Sequence, residues 1–203
     1  MINSKKSTWL FNPFAYIAGW QALLVGLILI LVTGYIGSLS NTHFDGVLDT
    51  HSGRSAPLWF FLTTGIINWL CMGVVLWAFG KKISKSTFRS IDLFGTQALA
   101  RWPTIITALA CMTPAYTRFI HTIIELTRTQ QMPEAFSLID AGVFGLVVFV
   151  MLAVLCWTVR LMYMSYKVSC DPAGKKAIMT FIIGLIIAEI LSKVAFIALI
   201  GKV

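Results

Sequence analysis

Long apolar runs dominate this chain. No Asp, Glu, Lys or Arg falls within Ser7–Phe44, Ser55–Gly80, Trp102–Thr117 or Ala141–Val159. A helix needs about 20 mostly apolar residues to cross the hydrocarbon core of a bilayer. Hydrocarbon offers nothing to stray backbone polar groups, so the runs predict helices. Five spans are expected: Ala15–Ser38, Leu58–Phe79, Pro103–Ile120, Ala141–Tyr163 and Ala177–Ile200. The third has a short uncharged core, interrupted by Pro114. Arg101 and Arg118 bracket it as snorkelling residues, so a kinked or shallow helix is expected there. Asn12 and Pro13 suit a cap and first turn ahead of the first span. The predicted fold class is all-α, a polytopic membrane helix bundle forming one domain over 1–203.

Composition narrows the class further. Hydrophobic residues make up 58% of the chain and charged ones only 12%, with a mean hydropathy of +0.83. Soluble domains run at about 45–50% apolar and about 25% charged. A soluble globule, a disordered chain and a disulfide-stapled secreted protein are all poor fits. The four cysteines, Cys71, Cys111, Cys156 and Cys170, have no metal-binding spacing and read as reduced.

The net charge of +8 is distributed as topology rather than as a nucleic-acid surface. Lys5 and Lys6 precede the first span. Lys81, Lys82, Lys85, Arg89 and Arg101 follow the second, and Arg160, Lys167, Lys175 and Lys176 lie around the end of the fourth. The opposite side holds only Arg54, Arg118, Arg128 and Lys202. The bias places the amino terminus in the cytoplasm and the carboxyl terminus outside. Ser38-Leu39-Ser40 resembles a signal-peptide cleavage site. The run before it exceeds the 7–15 residues of an ordinary signal core, which favours a retained anchor.

Three groups of residues carry candidate chemistry. Glu189 and Lys193 stand four apart inside the last span, a spacing that lets their side chains meet. A charge at the bilayer centre costs about 2.5–3.5 kcal/mol on insertion scales. The pair is therefore a relay or the floor of a polar cavity, or else a self-neutralised pair that fixes helix register. Lys193 snorkelling outward beside a protonated Glu189 is a third arrangement. Asn68 lies at a similar depth in the second span, and Thr180, Gly184, Ala188 and Ser192 form a small-residue stripe suited to close helix packing.

The second group is the outer loop, where His43, Asp45, Asp49 and His51 form the mirrored pattern His-x-Asp-x3-Asp-x-His. Imidazole and carboxylate together suit zinc or another divalent metal. The alternative is an ordinary polar loop turning at Asp45-Gly46. The third group, Asp92, Gln97 and Arg101, reads as a cytoplasmic partner or lipid-headgroup contact leading into Trp102-Pro103, or as simple interfacial anchoring. Arg160, Tyr163, Tyr166 and Lys167 read as anchors too. No phosphate loop, dinucleotide fingerprint or hydrolase motif is present.

The opening Leu10-Phe11-Asn12-Pro13-Phe14, the stretch from Thr87 to Pro103 (TFRSIDLFGTQALARWP) and the five-span layout together resemble the Yip1 family of membrane proteins, in its bacterial form. The resemblance implies a five-span fold resident in a membrane. Eukaryotic members use a long cytosolic amino-terminal region to contact Rab-type GTPases, whereas only about fourteen residues precede the first span here. The expected location is the bacterial cytoplasmic (inner) membrane. The expected role is a non-enzymatic scaffold without a cofactor, in contact with lipid, membrane-protein partners or a second copy of itself. A small transporter or channel subunit using Glu189, Lys193 and Asn68 is the alternative, and a metal-dependent membrane enzyme using the outer loop the third.

Overall fold

Where apolar surroundings deny the backbone water, it bonds to itself, and helices account for nearly all regular structure in the computed structural model. The structure describes residues 10–53, 55–84, 87–130, 137–172 and 174–200; Lys5, Lys6, Trp9, Arg54, Lys85 and Lys202 lie outside them. A 3-10 turn at Pro13–Ala15 precedes α1 (Gly19–Leu39), and the short strands β1 (Thr42–His43) and β2 (His51–Ser52) follow. Then come α2 (Leu58–Ile83), α3 (Ser90–Leu99), α4 (Thr104–Cys111), α5 (Pro114–Thr129), α6 (Leu138–Cys170) and α7 (Gly174–Ile200). Four helices, α1, α2, α6 and α7, are long and apolar enough to cross a bilayer. At about 1.5 Å per residue, the 21 residues of α1 match the hydrocarbon thickness.

The first and third expected spans need correction. The first helix begins at Gly19, four residues late, because Gly19 takes a left-handed φ of +59° that interrupts the helix. Asn12 makes no side-chain cap. The stretch 103–120 is not one helix: α4 ends at Cys111, and Pro114 opens α5 at its first turn. Proline forces the residue before it out of the helical region, and Thr113 is accordingly extended at ψ 125°. Arg118 does not snorkel alone. Its Nε and Nη2 donate to both oxygens of Asp140, at 2.8 and 2.7 Å.

Packing is closest between α1 and α3. A Cβ at Gly26 would collide with Leu99 N and Ala98, and one at Gly95 with the Gly19 carbonyl. The two helices therefore advance in the same direction with their backbones touching. Leu93, Met72, Leu76, Leu161, Met162 and Tyr166 fill the centre. Tyr166 is thus core rather than an interfacial anchor, its hydroxyl 3.2 Å from Thr180 Oγ1. Arg160 lies over the Phe11 ring at 4.8 Å, and Trp157 donates to the Leu10 carbonyl at 3.0 Å.

Helix α7 shows how depth and face divide its residues. Ile178, Ile182, Ile186, Ile190 and Ile197 are exposed along one face, as lipid contact requires. On another face Ala188 and Ser192 are fully buried, and Gly184 packs against Leu76, Phe79 and Val75 of α2. The small-residue stripe does seat one helix on another.

Candidate functional site

The loop between α1 and α2 builds the site. Residues 42–52 form a small antiparallel hairpin with Thr42 opposite Ser52 and His43 opposite His51. A hairpin this short has too few ladder bonds to stand alone, and its other attachments are to the bundle. Asn68 Nδ2, in the middle of α2, donates to the Phe44 carbonyl at 2.7 Å. Leu48 N donates to Glu189 Oε2 at 2.9 Å, and Lys193 Nζ donates to Asp49 Oδ2. Glu189 and Lys193 lie 3.8 Å apart on α7. The intramembrane pair thus grips the loop with one charge each. Gly46 makes this possible: any side chain there would collide with the Glu189 carboxylate.

Within the loop, His51 Nδ1 lies 2.7 Å from Asp45 Oδ2 and 4.0 Å from Asp49 Oδ1. One ligating atom each from Asp45, Asp49 and His51 lie within 4.8 Å of one another, a set of donors suited to a divalent metal. His43 is not part of it. It is buried and stacked on Phe61 at 4.3 Å. Asp45 Oδ1 is buried and has no protein partner among the described residues. Burial pushes the Asp49 carboxyl upward. The hydrogen bond from Lys193, the charges of His51 and Lys193 and the Thr50 N–H outweigh it, holding Asp49 below its ordinary value of 3.8.

Gln97 and Arg101 sit inside the bundle, which corrects their expected place on a cytoplasmic surface. Gln97 is 1% exposed and donates through Nε2 to the Met162 carbonyl at 2.8 Å. Arg101 is 8% exposed, in the turn between α3 and α4, and its Nη2 donates to the Asn68 carbonyl at 3.0 Å. The sequence expectation went astray because it started the third span at Pro103; the buried run begins at α3. Asp92 alone stays near the edge, 3.9 Å from Arg89 Nε.

Arg101, Asn68 and the loop enclose a cavity of about 220 Å3. Its walls are Ile30, Thr33 and Gly34 of α1, Phe61, Gly65 and Asn68 of α2, Thr104 and Thr107 of α4 and Met151, Leu152, Val154, Leu155 and Thr158 of α6. Phe44 and Gly46 through Thr50 close the loop side. Sequence reasoning missed the threonines. Their only signal was the recurrence of small hydroxyl residues at mid-depth in three different apolar runs.

A second anchor holds the hairpin from outside. Tyr116 at the start of α5 lies with its hydroxyl 3.0 Å from Ser52 Oγ, and burial pushes that hydroxyl up to about 12, so it stays a neutral partner. No family model, curated protein or solved structure matches the chain.

Proposed function

We propose that this integral membrane protein carries a small polar solute across the bilayer, with the hairpin loop as its gate. The observation supporting the reading is a cavity with Arg101, Asn68, Asp49 and threonines set in an otherwise apolar lining, one wall of which is a loop clasped by charged side chains of α7. A permanent plug would need only apolar packing. Here the loop packs on the bundle and is held in addition by an ion pair and single hydrogen bonds, which water can replace when the loop lifts.

On this reading α3 and α4 make a fifth, broken crossing. Non-helical backbone is tolerated at membrane depth where it lines a cavity, and the turn carrying Arg101 does so. Lys81, Lys82, Lys167, Lys175 and Lys176 gather at one end, a bias that supports a cytoplasmic amino terminus and a carboxyl terminus outside. The layout is Yip1-like and suits a bacterial cytoplasmic membrane, with no catalytic step and no resident metal. A scaffold role draws support from the basic end alone.

The test uses the full chain in proteoliposomes and labelled alanine, lactate, phosphate and glycerol. At least one solute should enter faster than into protein-free vesicles. Replacing Glu189→Gln and Lys193→Met together should change that rate by about tenfold or more, as expected for lost hydrogen bonds to charged groups. No uptake by the native protein, or unchanged uptake of every solute by a folded double variant, overturns the carrier reading and leaves the scaffold.

A further inference from the structure

Burying a guanidinium away from a counter-charge is costly, since an isolated ion pays a large desolvation penalty in a low-dielectric interior. Arg101 is close to that position: among the described residues no carboxylate comes within 4.0 Å of its guanidinium, whose one hydrogen bond goes to the Asn68 carbonyl, and Glu189 acts on it only from farther off. Glu189 is already committed to Leu48 N and faces Lys193. The cavity is what Arg101 faces.

Another part of the lining has the opposite sign. Asp49 lines the cavity, and with Asp45 and Glu189 it makes three carboxylates acting on the Lys193 ammonium. The Asp49 carboxylate accepts from Lys193 and from Thr50 N, which leaves lone pairs unused. The hydroxyls add to this. Thr33, Thr104 and Thr158 each donate to a backbone carbonyl of their own segment, at 2.8, 2.6 and 2.8 Å, so what they offer the cavity is acceptor capacity. One wall thus presents a fork of N–H donors and a positive charge; the others present acceptors and a negative charge.

We infer that the cavity binds a small zwitterion of the amino-acid type, its carboxylate on Arg101 and its ammonium towards Asp49 and the threonine hydroxyls. A plain anion would satisfy Arg101 and leave the acceptors unpaired; a plain cation would leave Arg101 unpaired. A zwitterion satisfies both walls and adds no net charge to a membrane interior. Its side chain meets Ile30, Phe61 and Leu155. The volume equals about seven water molecules at about 30 Å3 each, which sets the ligand at the size of the smaller amino acids. Planar carboxylate recognition is what a guanidinium does better than an ammonium. The inference rests on the carrier reading for its cavity but not for any movement.

The experiment measures binding, by calorimetry and thermal shift, to the full chain in nanodiscs. The probes are glycine, alanine, serine and valine, beside propionate and alaninamide as the matched anion and cation. At least one amino acid should bind at least about tenfold more tightly than both matched ions, since each ion leaves buried polar groups unpaired. Arg101→Lys should weaken that binding at least about tenfold while Tm in the absence of ligand stays near native. Thr158→Val, a change of nearly equal volume on another wall, keeps the test decisive if Arg101→Lys does not fold, and should weaken the amino acid more than propionate. Binding of none of the amino acids, equal binding of alanine and propionate, or native affinity in both variants overturns the inference. Binding without vesicle uptake overturns the carrier reading alone. Uptake of glycerol or phosphate without amino-acid binding overturns this inference alone.

Discussion

Two regions of the molecule draw polar side chains together, and they do so in opposite ways. Along α3 and α6 the groups are uncharged: Thr96 Oγ1 lies 2.7 Å from Ser165 Oγ and 2.9 Å from Ser169 Oγ, and Gln97 donates to Met162. All of these side chains stand on helices, and α1 presses on α3 at the Gly26 and Gly95 contacts. Around α7 the groups are Glu189, Lys193, Asp49, Asp45 and His51, and the partner they hold is a loop rather than a helix. Burial of polar atoms does not by itself mark a functional layer. What distinguishes the second region is that its bonds join a loop to a helix beside a cavity.

The comparison breaks most readily at the seam. Gly26→Val places side-chain atoms where the α3 backbone already lies, so α1 and α3 must separate. Overpacking of this kind costs about 1–3 kcal/mol and occasionally more, and here rigid backbone cannot yield. The expected result is the largest of the series: a marked fall in Tm in detergent, with loss of folded protein on size exclusion.

Next comes the clasp. Lys193→Met leaves the Asp49 carboxylate without its ammonium, and removing one partner of a charged hydrogen bond costs more than removing both. Hydrogen exchange at Leu48 and Thr50 should rise at least several-fold in this variant, with the amides of α3 and α6 unchanged. Adding Asp49→Asn should restore part of the protection. If the double variant is as open as the sum of the single ones, the two residues do not act as a pair.

The smallest effect concerns pH. Asp49 has a folded-state value below its ordinary 3.8, so its contribution is complete above that value and is lost as pH falls through the lower folded one. The groups facing it are Lys193 and His51, with Glu189 beyond. The stability difference between the native chain and Asp49→Asn should therefore persist from neutral pH down to about 5 and shrink only below about 4. A difference that disappears between pH 7 and 5 would show that the clasp depends on another titrating group.

Much of the architecture was legible in the residue order because a bilayer permits so few solutions. Four of the five expected spans stand as long apolar helices, and the Thr180, Gly184, Ala188 and Ser192 stripe does pack on neighbours. The third was misplaced because prolines obscure helix ends. Pro103 and Pro114 looked like the start and the kink of one span, whereas Pro103 precedes the short helix α4 and Pro114 opens a separate helix.

The site divides in the same way. Sequence alone determined that Glu189, Lys193 and Asn68 sit at depth in apolar runs, since an uncompensated charge there demands a reason. It also determined that Asp45, Asp49 and His51 share a loop. Only the tertiary structure decided that these two groups are one site, because 141 residues separate Leu48 from the carboxylate that holds it. It stacked His43 on Phe61, and it drew Arg101 from the expected surface into the cavity. Local pattern fixes how deep a residue lies and which short-range neighbours it has. Which charge meets which across the bundle depends on how helices distant in sequence pack, and hydrophobicity, being non-directional, does not encode that.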